Sequence, residues 1–215
     1  MSQAFKECNT KRKVIIVTNQ DHEANSGSWQ KLEKTGFNIR EWRVNESTGS
    51  LDINNLRELL DEEVLLVAFP HCSNIVGEIN PVKTICKMIK SVGAYACVDG
   101  VSYAPHGFSD ITDLGPDIYM FSAYKTYGTH LGLMYISDEL NKLLENQGHY
   151  FNKESSVKRF TPAGPDHAQI ASSAGIADYI KSVHAYHFDD DADPKLIANR
   201  VHQMQRRHET KLLDP

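Results

Sequence analysis

A chain of 215 residues, 40% hydrophobic and 24% charged with a formal net charge of −5, has room for one core, or one core with a small appendage. The mildly acidic balance gives no basic field for nucleic acid or an anionic membrane. No apolar run approaches a membrane span or a signal-peptide core, so the expected location is cytoplasmic. Cys8, Cys72, Cys86 and Cys97 are scattered without a CxxC pair and read as reduced, mostly buried thiols. The histidines form no metal-ligand set: His184 with His187, and His202 with His208, fall in what reads as a solvated helical tail.

Residues 13–18 (KVIIVT) form a short continuous apolar run, which predicts a buried parallel strand opening into a polar loop over 19–25. In open α/β sheets such loops line the ligand crevice. A helix over 28–35 is expected to end at Gly36, followed by an alternating strand over 38–44 and a helix over 53–60. Residues 63–69 (EVLLVAF) make the third strand and run straight into a polar segment, PHCSNIVG. Asn80-Pro81 predicts an N-cap with proline at the first helical position, opening an amphipathic helix that carries Val82, Ile85, Ile89 and Val92 on one face. The fourth strand, 94–98, ends in Asp99. A carboxylate at the tip of a buried strand is unfavourable unless something pairs with it, although a plain turn or capping aspartate is a common alternative.

Residues 116–136 (PDIYMFSAYKTYGTHLGLMYI) contain two apolar strands, 118–121 and 131–136, around a polar turn that holds Lys125. Ser122, Tyr124 and Lys125 delivered into one small volume suit a phosphate-bearing aldehyde cofactor, because a hydroxyl can hold the phosphate while the amine forms an imine. Taken by itself, the stretch reads first as a hairpin with a solvated lysine. A helix is expected near 138–146, and another over 168–183 with Ile170, Ala174, Ala177 and Ile180 as its buried stripe. An acidic linker (188–194) and an exposed charged helix (195–212) follow. The strand and helix alternation predicts an α/β fold with a mainly parallel sheet flanked by helices and polar residues gathered on one rim. No GxGxxG follows any strand, which leaves a dinucleotide site without support.

Five segments, in this order, resemble the class V aminotransferase and cysteine desulfurase-like family of fold-type I enzymes: DHEAN (21–25), SNIVG (73–77), DGVSYAPHG (99–107), SAYKTYGTHLG (122–132) and TPAGPDHAQIA (161–171). The resemblance implies a PLP-dependent transferase large-domain core over 1–187. It makes 188–215 a linker and charged helix at the start of a C-terminal small domain. It also implies pyridoxal 5′-phosphate (PLP) as cofactor, a small-molecule amine or amino-acid substrate, a homodimer in the complete form, and no metal.

By the same resemblance, Lys125 is the Schiff-base lysine and Asp99 the acid that pairs with the pyridinium nitrogen. His22 is the ring lying over the cofactor, and Asn74 the amide near its phenolic oxygen. Ser122 is the phosphate-binding serine, and Ser102 a second polar contact where many relatives carry glutamine. Tyr124 stands where desulfurases commonly carry histidine, His106 is placed near the rim, and Gly164 falls where many relatives have a phosphate-reaching threonine. The match corresponds to the middle of a typical relative, so an upstream glycine/threonine phosphate cradle and a C-terminal substrate-binding arginine are expected outside it. Two other outcomes stay open. One is a cysteine desulfurase or selenocysteine lyase whose catalytic cysteine lies beyond Pro215, and the other is a non-catalytic fragment or pseudoenzyme that keeps the fold.

Overall fold

The computed structural model describes residues 1–213, so the last two residues of the expected 188–215 segment lie outside the described residues. A short helix, α1 (Ser2–Glu7), precedes the first strand, β1 (Val14–Thr18). Next, α2 (Glu23–Gln30) continues into a 3-10 turn at Lys31–Thr35, which Gly36 closes at φ 92°. β2 (Asn38–Trp42), α3 (Ile53–Leu59), β3 (Val64–Pro70), α4 (Val82–Ser91) and β4 (Tyr95–Asp99) extend the alternation. After α5 (Ile111–Leu114), β5 (Ile118–Ser122) turns through Ala123–Thr126 into β6 (Gly132–Ile136). α6 (Asp138–Leu143), α7 (His167–Ser172), α8 (Ala174–His187) and α9 (Pro194–Leu213) complete the described chain.

The six strands lie in the order β2-β1-β3-β4-β5-β6. The first five run parallel, and β6 pairs antiparallel with β5, Ser122 opposite Gly132. Both faces of the sheet are covered, which is why the central strands are apolar throughout rather than alternating. Val14 and Ile16 face one way with Leu56 of α3 and Ile85 and Ile89 of α4. Ile15 and Val17 face the other way with Phe5, Trp29 and Leu140. Burying each of these large aliphatic side chains stabilises the fold by about 2 kcal/mol before chain entropy is counted.

The chain departs from β1 toward β2 on one side and toward β3 on the other, so the carboxyl ends of β1 and β3 flank the point where strand order reverses. This is where open α/β sheets form a crevice. The loops after β1 and β3 are tied together across it. Gln20 Nε2 donates to the Gly49 carbonyl at 2.8 Å and to Glu78 Oε2 at 3.0 Å, while Asn80 Nδ2 donates to Gln20 Oε1 at 2.7 Å.

Four expectations need correction. The first helix after β1 starts at Glu23 rather than at 28, because the His22 ring accepts the Ala24 backbone N–H at 3.0 Å and caps it. Asn80 is no N-cap: its amide donates to Gln20 and, at 2.9 Å, to the Pro70 carbonyl, leaving Pro81 at the cap position. The helix expected over 168–183 is broken at Ser173, whose hydroxyl donates back to the Ile170 carbonyl at 2.6 Å. That break re-aims the buried stripe to Ile176, Ile180 and His184, leaving Ile170 45% exposed. The terminal helix is not a solvated tail on every side, since Val201 and His202 are buried, Val201 in a small apolar cluster with Ile176 and Ile180.

Gly100, directly after β4, is a point of close approach. A Cβ there would lie 2.3 Å from the ring and hydroxyl of Tyr119, which is itself buried. Gly100→Ala is therefore expected to destabilise the protein by about 1–3 kcal/mol through overpacking. Urea unfolding would measure this, and an unchanged midpoint would show that Tyr119 can step aside.

Candidate functional site

The carboxyl ends of β1, β3, β4 and β5 lie on one edge of the sheet, and the segments that follow them wall a cavity of about 160 Å³. From β1 come Asp21, His22 and Ala24. From β3 come Pro70, Cys72 and Asn74, and from β4 Asp99, Val101 and Ser102. The β5 end supplies Ser122, Tyr124 and Lys125. The seven side chains singled out from sequence, His22, Asn74, Asp99, Ser102, Ser122, Tyr124 and Lys125, thus all line the same space.

Asp99 is held by its surroundings. Burial raises its pKa above the ordinary carboxylate value; the backbone N–H of Val101 at 2.8 Å and the charges of His22 and Lys125 act the other way. Asp21 lies on the same wall, where burial and then the neighbouring Asp99 charge push its pKa up to about 7. Sequence reasoning quoted Asp21 within DHEAN but gave it no task. The available signal was that, like Asp99, it is an acid close behind the end of a buried strand.

The lysine turn is strained and tightly built. Tyr127, two residues beyond Lys125, takes the left-handed conformation at φ 66°, which is unfavourable for an aromatic residue and is tolerated where surrounding contacts fix it. Its hydroxyl accepts a hydrogen bond from Gln205 of α9. At the next position, a Cβ on Gly128 would meet Ile176 at 2.7 Å and the Ala123 carbonyl at 3.0 Å, so only glycine fits under α8. Tyr124 stacks on His130 with centroids 4.9 Å apart and planes 14° from parallel. His130 was not singled out from sequence, because its place beside Tyr124 arises only when the turn folds back.

The Aminotransferase class-V family profile matches residues 2–214. The chain belongs to the class-V aminotransferase family. It is similar to the aminotransferase-like protein FGM3 of Gibberella zeae, 34% identical over 206 residues, which is 93% of this chain and 48% of that protein. It is also similar to a cysteine desulfurase of Pectobacterium carotovorum, 33% identical over 183 residues, covering 79% of this chain and 45% of that protein. The chain therefore spans about half the length of these curated relatives. Among solved structures, the cysteine desulfurase CsdA of Escherichia coli superposes with a TM-score of 0.72 at 22% identity, covering 90% of this chain and 51% of that one. An apo cysteine desulfurase from Thermococcus onnurineus gives 0.68 at 24% identity, covering 85% and 50%. At these identities the structural likeness speaks for the fold.

Other positions in this class-V chain fall outside the cavity wall. His106 turns away to pair with Glu209 at 2.8 Å, and Gly164 sits in open space. Among the described residues no cluster of three or more His, Cys, Asp or Glu could hold a metal, and no helix is long and apolar enough to cross a membrane.

Behind β4, the buried His71 stacks on Tyr103 at 3.6 Å and meets the Tyr119 hydroxyl at 2.9 Å. Burial pushes its pKa down to about 4. A folded state that holds His71 neutral binds fewer protons than the unfolded chain between about pH 6.5 and 4, so this contribution to stability is lost as pH falls through that window. In urea unfolding at a series of pH values, the stability advantage of wild type over His71→Phe is expected to shrink between pH 7 and pH 4. A difference independent of pH would contradict the buried neutral imidazole.

Proposed function

We propose that this chain is the cofactor-binding part of a pyridoxal 5′-phosphate-dependent enzyme acting on an amino-acid-like amine. The observation that carries this reading is one cavity walled at once by a primary amine (Lys125) and a buried acid (Asp99), with an imidazole (His22) on the same wall. The donor set fits the group chemically. Lys125 offers an amine for the aldehyde, Asp99 a counter-charge for a protonated ring nitrogen, and His22 a flat face for the ring. Ser122 and Ser102 offer hydroxyls for phosphate and ring substituents, Asn74 an amide for the phenolic oxygen, and Tyr124 a phenol beside the lysine. The bound cofactor would supply an electron sink for the substrate α-carbon.

The rest is work for the protein. Asp99, largely kept from water, would stand as the counter-charge for a protonated ring nitrogen. Lys125 Nζ would be the amine that holds the aldehyde and the base placed to take and return a substrate proton. The His22 ring is held by accepting the Ala24 N–H, which fixes its tilt at the cavity mouth.

Residues 1–187 are proposed as the large domain and 188–215 as linker and first helix of a small domain. A homodimer is proposed for the complete protein. Ile75, next to Asn74 at the cavity, is 79% exposed, and Val76 and Ile79 are also exposed, an apolar patch suited to a partner surface. Reduced, unpaired cysteines agree with a cytoplasmic location.

The desulfurase alternative, with its catalytic cysteine beyond Pro215, is favoured by the likeness to a cysteine desulfurase, and one cysteine of this chain, Cys72, lies on the cavity wall. Cys72 Sγ, however, points to the carbonyls of Ser73 at 3.7 Å and Gly77 at 3.5 Å, and burial raises its pKa, so it is a poor nucleophile as placed.

On addition of PLP the protein is expected to develop visible absorbance, and borohydride reduction should fix the label on Lys125, read by peptide mass mapping. Lys125→Ala should abolish the band, and Asp99→Asn should weaken PLP binding by about 10-fold or more through loss of a charge-assisted contact. Labelling spread over surface lysines and unchanged in Lys125→Ala would remove the proposal.

A further inference from the structure

Beyond Ser102, the chain that leaves β4 meets α9 around another cavity, of about 240 Å³. Asn199, His202, Gln203 and Arg206 line it from α9, and their spacing of i, i+3, i+4 and i+7 puts all four on one helical stripe. The Ser109 hydroxyl and the Phe108 ring are on the facing wall. No residue of this wall lines the Lys125 cavity.

The wall is rich in hydrogen-bond donors and holds no carboxylate among the described residues. The acids that border it in sequence are engaged elsewhere. Glu209 pairs with His106 Nδ1 at 2.8 Å. Asp110 accepts the backbone N–H groups of Thr112 and Asp113 at 3.1 and 3.2 Å and faces Lys195 Nζ at 3.4 Å. Arg206 Nη2 donates to the Tyr103 hydroxyl at 3.2 Å, which leaves most of its planar fork for an oxyanion.

His202 narrows the choice of anion. It is only 6% exposed, with the Phe108 ring edge-on to it at 5.3 Å between centroids. Its ring bonds the Ala198 carbonyl one turn back. Burial lowers its pKa; the Ala198 carbonyl opposes this, and the nearby Arg206 charge adds to it. An uncharged imidazole that donates to a carbonyl keeps only a lone pair at its other nitrogen, and a buried lone pair is unfavourable until a donor reaches it.

We propose that this cavity is a binding site for a phosphate-type oxyanion that keeps one hydroxyl, either inorganic phosphate or a phosphate monoester. Arg206, the Asn199 and Gln203 amides and the Ser109 hydroxyl hold its oxygens, and His202 accepts its O–H. Sulfate or a carboxylate at neutral pH has the charge but no O–H, and would set an oxygen lone pair against that of the imidazole. The bound anion touches α9 on one side and the segment after β4 on the other, so it fastens the two together. This site stands apart from the PLP reading and does not depend on it.

Calorimetry at pH 6 on the purified chain tests it, with inorganic phosphate, glycerol phosphate and sulfate as separate titrants. Saturable binding is expected for phosphate or for the monoester, whichever is the source, and binding about 5-fold or more weaker for sulfate, which lacks one hydrogen bond. Arg206→Gln, at an exposed position, should weaken phosphate binding by about 10-fold or more. His202→Phe should remove the preference for phosphate over sulfate, and circular dichroism would show whether that variant folds; if it does not, Arg206→Gln decides. Ser122→Ala, in the Lys125 cavity, should leave phosphate binding unchanged. Binding that survives Arg206→Gln but is lost in Ser122→Ala puts the anion in the Lys125 cavity and overturns this site. So does the absence of saturable binding, or sulfate bound by wild type as tightly as phosphate.

Discussion

A carboxylate at the end of a buried strand is the constraint to which much of this molecule answers. Asp99 sits where β4 leaves the sheet, and removing it from water without compensation would cost several kcal/mol. Compensation comes from the Val101 N–H and from the charge of Lys125 on another element, with the His22 ring on a third. Those elements must be brought to one edge, which a parallel sheet does automatically because every strand ends on the same side. The strand order then supplies a gap between β1 and β3 in which the charges can face one another without being packed shut.

The support behind Asp99 is apolar and aromatic. Gly100 lets the Tyr119 ring pass close under the backbone, and Tyr119, His71 and Tyr103 form a packed stack and hydrogen bond beneath the loop. This arrangement holds the strand end in one position and keeps the imidazole neutral. A neutral histidine here is consistent with the cavity above it: a buried imidazolium would compete with Lys125 for the negative charge of the acids.

What could be read from the residues was what depends on short-range pattern. Continuous apolar runs marked β1, β3 and β4, and polar residues just after them marked the rim, because burial on both faces and one shared edge leave that signature. Readings that failed were those that depend on a distant partner. Asn80 looked like a cap until Gln20, sixty residues earlier, took its amide. Ser173 breaks a helix by donating its hydroxyl to the Ile170 carbonyl, a choice that helical periodicity does not reveal. Likewise the charged last helix hides a buried Val201 because its partner surface, Ile176 and Ile180, lies on another helix. In the site, the association of Tyr124 with His130 and of Asp21 with Asp99 needed three dimensions. The family likeness ordered the segments without showing which neighbours each would meet.

The left-handed Tyr127 has a consequence for how the lysine turn and α9 communicate. A bulky residue in that conformation stores about 1–3 kcal/mol, and the phenol that keeps it there is bonded to Gln205, far along α9. The turn carrying Lys125 is thus latched by the terminal helix. Any shift in the seating of that helix would slacken the latch, let the turn relax, and change how far the lysine's amine reaches into the crevice. Reach at the centre of the molecule is in this way tied to the docking of α9.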